Sequence, residues 1–477
     1  MSEAKETTSI EALRHKIGVP LAIVVGLLIY MIGVPKGLSP QGHKALILFA
    51  VIFVLYLTEA IPLAASSLMV VPLGSLLGVA KTSVMLQGFA STSTYLIVGA
   101  FILAIAMVKT RLGERITYML LSKIGCSATR VTLGVMCANI VIAFLVPSST
   151  ARTAMLLPVC MSIISLLGKE GRSNFAVSLL LCLCFTNATI SAGILTATVP
   201  NPVTVDFLAK AGGKTISYTD WLIYGFPPAL LMTVITWYVL HKLYPSEEID
   251  EAKSGAIVHE GLASMGPMTS AEWRTLAIFL ITVALWVTQK MTKLDTTLVA
   301  LIGACALFLP KIGVLNWSDA NKGVSWQVVM VCGGGVSMGA MLMKTGAAKW
   351  IANGIFHAFG LHTASVLVLL LVVMLVLLFL HVIFVGTTAM ATALLPIVVG
   401  MAQAANLPPE VLLLPAGMII GGYPLIMFYS TLPNIIAYGT GKLAVGDFIK
   451  VGAVLYIIAC VVYAATATTY WRWLGLF

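Results

Sequence analysis

The chain has 477 residues, of which 59% are hydrophobic and only 10% charged, and its mean hydropathy is +1.01. An average soluble protein carries roughly 25% charged residues, so this chain lacks the polar side chains to cover a water-soluble globule of its size. An ordinary soluble enzyme, a secreted disulfide scaffold and a disordered chain are excluded. At about 20 apolar residues per span there is room for about 10–14 membrane-crossing helices.

The net charge of +10 does not indicate a nucleic-acid partner, because the basic residues flank apolar runs, as membrane-edge anchors do. The eight cysteines lie mostly inside apolar runs. Only Cys182 and Cys184 are close together, at a spacing that is no zinc signature, and all read as packing residues.

Residues 1–17 are polar and mixed in charge, with no cleavable signal pattern. Apolar runs near 18–35, 43–60, 62–80 and 88–108 then predict four spans, followed by a basic amphipathic stretch from Lys109 to Gly125. Runs at 128–147 and 151–167 are split by a polar Pro-Ser-Ser-Thr, and a run near 173–210 is interrupted by Ala-Thr-Val-Pro-Asn-Pro. A span near 221–243 closes a first half of 18–243, and the polar segment 244–271 reads as a linker. The second half, 272–477, offers spans at 272–290, 294–310 and 324–343, then the stretch Lys344 to Gly360. Split runs follow at 361–385 and 389–405, then an interrupted run at 411–440 and a last span at 447–473.

Between Lys109 and Arg172 seven basic residues lie outside the spans (Lys109, Arg111, Arg115, Lys123, Arg130, Lys169, Arg172), with Arg152 inside the split. The matching stretch of the second half has only Lys344 and Lys349. By the positive-inside rule the first stretch is cytoplasmic and the second faces outward. This places the N-terminus and the linker inside and the C-terminus outside, in an inner or plasma membrane.

The halves also repeat. Gly88 and Gly323, Gly99 and Gly334, and Lys109 and Lys344 are each 235 residues apart. Ser148-Ser-Thr-Ala matches Gly386-Thr-Thr-Ala, and Thr198-Val-Pro-Asn matches Thr431-Leu-Pro-Asn. With opposite topology this is an inverted repeat, the signature of secondary transporters.

Each half therefore has two interruptions. Backbone that leaves a helix at membrane depth survives only when buried in protein or lining a wet cavity. The Ser-Ser-Thr and Gly-Thr-Thr splits read as tips of re-entrant hairpins near 128–167 and 361–405. The Pro200-Asn201 and Pro433-Asn434 pairs read as breaks in two spans: proline stops the helix and asparagine satisfies the freed backbone. Helix N-termini at such points attract anions. Ser149, Thr150, Thr387 and Thr388 open the second hairpin arms, and Thr198 and Thr431 sit at the breaks. Two pseudosymmetric sets suit a substrate with an anionic group at each end, a dicarboxylate, although sulfate or sulfonate has the same recognition chemistry.

Arg152, two residues past the first tip, faces neutral Met390 in the repeat. A cation at that depth costs about 2.5–3.5 kcal/mol or more unless paired, so it is a candidate substrate or gating charge, offset by an anion or by a cage of carbonyls. Glu59 reads as an interfacial acid at a span junction. His381, five residues before the second tip, is the titratable group nearest that tip.

The sequence resembles the divalent anion/sodium symporter family on Thr58-Glu-Ala-Ile-Pro62, the tips at 148–151 and 386–389, and the breaks at 197–201 and 430–434. The resemblance covers nearly the whole chain. It implies an all-α, inverted-repeat elevator transporter that works as a homodimer, with one substrate site between two opposed hairpins. It also implies that Ser148, Ser149, Thr150, Thr198, Thr387, Thr388 and Thr431 contact the substrate, with Pro200, Asn201, Pro433 and Asn434 supporting the breaks. Na⁺ is the only cofactor it admits, and Ser148, Ser149, Ala197, Thr387 and Ser430 are where it would bind. Sodium-coupled members show Ser-Asn-Thr tips and a hydroxyl residue four positions earlier; here those positions are Phe144 and Val382. Ser-x-Thr-Ala-Arg at 148–152 is similar to the family's exchanger branch, which implies sodium-independent exchange, with Na⁺ symport as the alternative.

Other classes fit less well. A channel would need a ring of charge, which the midplane motifs lack. An intramembrane enzyme needs a nucleophile–base pair or a metal cluster, and the seven histidines are scattered. A primary pump needs a nucleotide-binding loop, and no GxxxxGK[ST] occurs.

Overall fold

The computed structural model describes residues 9–165 and 172–476. The extreme N-terminal segment, the last two residues of the run at 151–167, and Lys169 lie outside the described residues. The first apolar runs form α1 (Ser9–Ile32), α2 (Pro40–Thr58), α3 (Leu63–Leu76), a one-turn α4 (Thr82–Met85) and α5 (Thr92–Lys109). The basic stretch is α6 (Leu112–Ile124), and the first hairpin is α7 (Ala128–Leu145) with α8 (Ser149–Ser165). A broken span follows as α9 (Asn174–Ser191) and α10 (Pro200–Lys210), then α11 (Tyr218–Leu243) and α12 (Glu251–Ser264). The second half opens with α13 (Ser270–Val287), α14 (Gln289–Thr292), α15 (Thr296–Ala306), α16 (Trp317–Gly323), α17 (Trp326–Lys344) and α18 (Ala347–Phe359). It closes with the hairpin α19 (Val366–Leu380) and α20 (Thr387–Ala404), the broken span α21 (Pro409–Gly422) and α22 (Leu432–Tyr438), and α23 (Val445–Thr466), which continues into a π-helical turn over Ala467–Trp471.

Among the described residues nine helices are long and apolar enough to cross a membrane, and six more apolar helices are shorter. Their starts are written in polar residues: Ser39, Ser91, Ser127 and Ser173 each accept a bond from a first-turn amide, and Ser217 with Asp220 and Thr269 with Glu272 form capping boxes. Backbone polarity at the membrane surface is thus satisfied before the chain enters hydrocarbon.

The repeat is visible in the elements. The amphipathic helices α6 and α18 are each 13 residues long and begin and end 235 residues apart. They follow α5 and α17, and each leads into a hairpin. α3 and α17 meet almost backbone to backbone: a Cβ on Gly334 would stand 2.2 Å from the Ser67 carbonyl oxygen. Only glycine permits that approach.

Two expectations need correction. Residues 244–271 are not simply a linker, because α12 lies within them. Asp250 caps it on the amides of Ala252 and Lys253, and Ser254 and Val258 are buried. Its polarity hid it, since a helix lying along another helix needs only a narrow buried stripe. The prolines also do not end the first segments of the broken spans. Helix α9 stops at Ser191 and α10 begins at Pro200; α21 stops at Gly422, and Pro433 is the second residue of α22. The breaks are the irregular stretches 192–199 and 423–431, and each proline sits in a first helical turn, where its missing N–H has no intrahelical partner to lose.

Candidate functional site

The two hairpin tips and the two breaks converge on one cavity of about 270 Å³. The first tip contributes Ser148, Ser149 and Thr150, and the first break Ala197 and Thr198. The second tip contributes Gly386, Thr387 and Thr388, and the second break Tyr429, Thr431 and Pro433. A small crevice beneath is shared by Ser149, Thr198, Thr387 and Thr431, so all four interruptions meet there. The opposite wall comes from Glu59, Leu63 and Phe101 and from Ser325, Gln327, Val328 and Val331 around the start of α17.

Local chemistry shapes each tip. The Ser148 hydroxyl accepts the Ala151 amide at 3.2 Å and the Ser148 carbonyl accepts the Arg152 amide at 3.0 Å, which starts α8. Gly386 has φ +116°, a conformation that side chains resist, and turns the chain into α20. Helices α8 and α20 run 17 and 18 residues, so both present substantial dipoles at the tips. Helix α22 has only seven residues and adds little of that kind. At the second break the contribution is side-chain and backbone hydrogen bonding.

The breaks are braced alike. Asn201 donates to the Ser191 and Ile194 carbonyls, both at 2.8 Å. Asn434 donates to the Pro424 and Met427 carbonyls at 2.8 and 3.2 Å. In both halves the asparagine reaches back to the residues ten and seven positions before it. Neither amide lines the main cavity; each holds open backbone in shape behind it.

Arg152 is completely buried, yet its side chain does not line the cavity. Its Nε donates to Asn187 Oδ1 at 2.7 Å, Nη1 to the Val146 carbonyl at 2.6 Å, and Nη2 to Ser191 Oγ at 2.5 Å and the Ala197 carbonyl at 3.4 Å. Asn187 also donates to the Ser149 carbonyl and Thr153 Oγ1. The guanidinium therefore ties the first hairpin to α9 and to the break, one residue behind the lining. Among the described residues all its partners are neutral oxygens. Of the residues expected to hold Na⁺, only Ala197 is among these acceptors, at 3.4 Å.

In the second half His381 is buried, with Nδ1 2.9 Å from the Leu377 carbonyl and Nε2 3.2 Å from the Ile420 carbonyl. Tyr429 donates to the Val382 carbonyl at 2.8 Å and Ser430 to the His381 carbonyl at 3.1 Å, which ties the second break to the second hairpin. His381 and Ser430 lie behind the lining. Sequence reasoning missed Phe101, Ser325, Gln327 and Tyr429. The only signal for them is Gln327, a polar side chain one residue inside a largely apolar helix.

An all-helical membrane protein with two re-entrant hairpins and two broken spans around one hydroxyl-lined cavity is a secondary transporter, not an enzyme. Residues 14–477 match the family described as the sodium:sulfate symporter transmembrane region, and the chain belongs to that family, the divalent anion/sodium symporters. A membrane protein of Cupriavidus necator is 30% identical over 96% of this chain and 93% of its own. The sodium-dependent dicarboxylate transporter SdcS of Staphylococcus saprophyticus is 27% identical, covering 93% and 88%. The chloroplastic dicarboxylate transporter 2 of Spinacia oleracea is 26% identical, covering 96% and 82%. Solved structures of Neisseria gonorrhoeae MtrF (TM-score 0.57, 13% identity, covering 97% and 95%) and the Alcanivorax borkumensis YdaH transporter (0.54, 12%, covering 96% and 97%) share the fold.

Proposed function

We propose that the protein exchanges small dicarboxylates, of C4–C5 length with citrate at the upper limit, across the membrane without sodium. In this reading one carboxylate meets the first tip and break and the other meets the second. Ser148, Ser149, Thr150, Thr198, Thr387, Thr388 and Thr431 supply hydroxyls, and the α8 and α20 N-termini supply amides.

One observation carries the exchange reading: the buried guanidinium of Arg152, held by neutral oxygens directly behind the lining. It supplies a permanent positive charge where a coupled ion would otherwise be needed. A site emptied of its anion leaves that charge uncompensated, and isolated charge at membrane depth is costly. The moving unit then crosses readily only when loaded, which makes transport an exchange. The unit that moves comprises the two hairpins and the two broken spans, as in an elevator, with the protein as a homodimer.

With the N-terminus inside, the C-terminal end of α2 and the N-terminal ends of α3 and α17 lie on the cytoplasmic side. Glu59, Leu63 and Gln327 belong to those ends, so the site is in its inward-facing arrangement.

A second reading, sodium-coupled symport, is favoured by the sodium dependence named for the SdcS relative. A thermal-shift screen of purified protein against C4–C6 di- and tricarboxylates, in sodium or choline salts, separates the two. We expect equal stabilisation by dicarboxylates in both salts. Stabilisation confined to sodium, or by sulfate alone, defeats the proposal.

A further inference from the structure

A second cavity, of about 540 Å³, shares no lining residue with the substrate site. It sits where the end of α5, the start of α13 and the turn after α15 meet, and its polar lining is Lys109, Thr110, Thr269, Arg274 and Asn316. Arg274 is fixed as part of the wall: Nε donates to the Ser270 carbonyl at 3.1 Å, and Nη1 to the carbonyls of Lys311 at 2.8 Å and Gly313 at 3.2 Å. Among the described residues no acceptor is bonded to its Nη2. Lys109 Nζ rests on Asp319 Oδ2 at 2.6 Å.

The charge balance is positive. Asp319 is held below the usual carboxylate range by the Asn316 amide first and then by Lys109, so it is ionised. Against it stand Lys109 and Arg274 in the lining, Lys311 in the turn and Lys322 acting on Asp319 from nearby, while Glu272, bonded to Thr269 of the lining, is paired with Arg115. The chain beside the lining residues is apolar and aromatic: Trp273, Leu309, Ile312 and Trp317 are each at least half exposed. Exposed tryptophans of a membrane protein gather at headgroup depth. Lys109 and Arg274 beside this exposed apolar surface form the complement of an anionic phospholipid; the Thr110 and Thr269 hydroxyls already donate, to the Ala106 carbonyl and to Glu272.

We propose that this pocket binds the phosphate of an anionic phospholipid, with an acyl chain along Leu309, Ile312 and Trp317. Basic pockets between helices on the cytoplasmic side suit such headgroups, because anionic lipid is found there. The leaflet rests on the orientation given under Proposed function; the binding chemistry does not.

The test is native mass spectrometry of delipidated full-length protein titrated with phosphatidylglycerol, phosphatidylcholine or inorganic phosphate. The expected result is retention of phosphatidylglycerol that neither phosphatidylcholine nor phosphate reproduces. Lys109→Gln and Arg274→Gln should each reduce that retention by about five-fold, and Arg274→Lys by less. Because Arg274 also pins the 311–313 turn, its loss can disturb folding. Lys109, whose side chain is 43% exposed, carries the test alone in that event. Unchanged phosphatidylglycerol retention in Lys109→Gln, equal retention of phosphatidylcholine, or full competition by phosphate overturns the proposal. Labelling of Lys109→Cys by an impermeant maleimide from outside would instead overturn only the orientation.

Discussion

The two hairpin-and-break units share motifs at a near-constant offset in the sequence and a plan in space, yet they are locked differently. In the first, one guanidinium reaches the hairpin bend through Val146, helix α9 through Asn187 and Ser191, and the break through Ala197. In the second the equivalent position is Met390, fully buried and apolar, and the tie is made by neutral groups, Tyr429 and Ser430 on the carbonyls of Val382 and His381. The asparagine braces are the same in both. The scaffolding of the break is therefore common to the halves, and the charge is confined to one of them. At this position the two units that meet at the cavity differ in charge.

The largest effect should come from erasing that asymmetry. Arg152→Met copies the second unit into the first and leaves Asn187 Oδ1 and the Val146 carbonyl without their donor. Uptake into proteoliposomes should fall by about 100-fold or more. The melting temperature should also fall, since each buried acceptor left unpaired costs about 1–3 kcal/mol. Near-normal uptake by this variant would remove the special role given to the first unit.

Next come the tip hydroxyls. Ser148→Ala and Thr388→Ala should each weaken apparent substrate affinity about ten-fold with expression intact, the size expected for one hydrogen bond to a charged group. A loss confined to one tip would show that only one end of the substrate is gripped.

Asn201→Ala and Asn434→Ala should cost similar stability, about 2 kcal/mol each, because each strips two carbonyls of a donor. Thermal unfolding of the two variants side by side checks whether the braces are equivalent. The smallest effect is expected from Gly386→Ala. No atom lies within 4 Å of the added methyl, so only backbone strain of about 1–3 kcal/mol remains. It should appear as a modest loss of uptake traceable to the second tip.

Much of this was legible in the sequence. The tips are legible because the polar clusters Pro147-Ser-Ser-Thr and Gly386-Thr-Thr split apolar runs at matching places in both halves, and non-helical backbone at membrane depth must be buried in protein or line a wet cavity. The repeat was legible because the offset of 235 between paired residues reappears unchanged in α6 and α18. The breaks were located only approximately. Proline predicts a helix stop, but Pro200 and Pro433 instead lie in the first turn of one. The role of Arg152 was hidden for a different reason: Asn187 and Ser191 are 35 and 39 residues away along the chain, and nothing local marks them as its partners. Helix α12 is not legible because its polar sequence reads as a linker, and the wall formed by Phe101 and Gln327 has no motif at all.

The most direct test is counterflow. Proteoliposomes containing the purified protein are prepared empty or loaded with unlabelled succinate, and uptake of labelled succinate is followed in choline medium and under an inward sodium gradient. Uptake should require internal dicarboxylate and be indifferent to sodium. Sodium-driven accumulation in empty vesicles would contradict it.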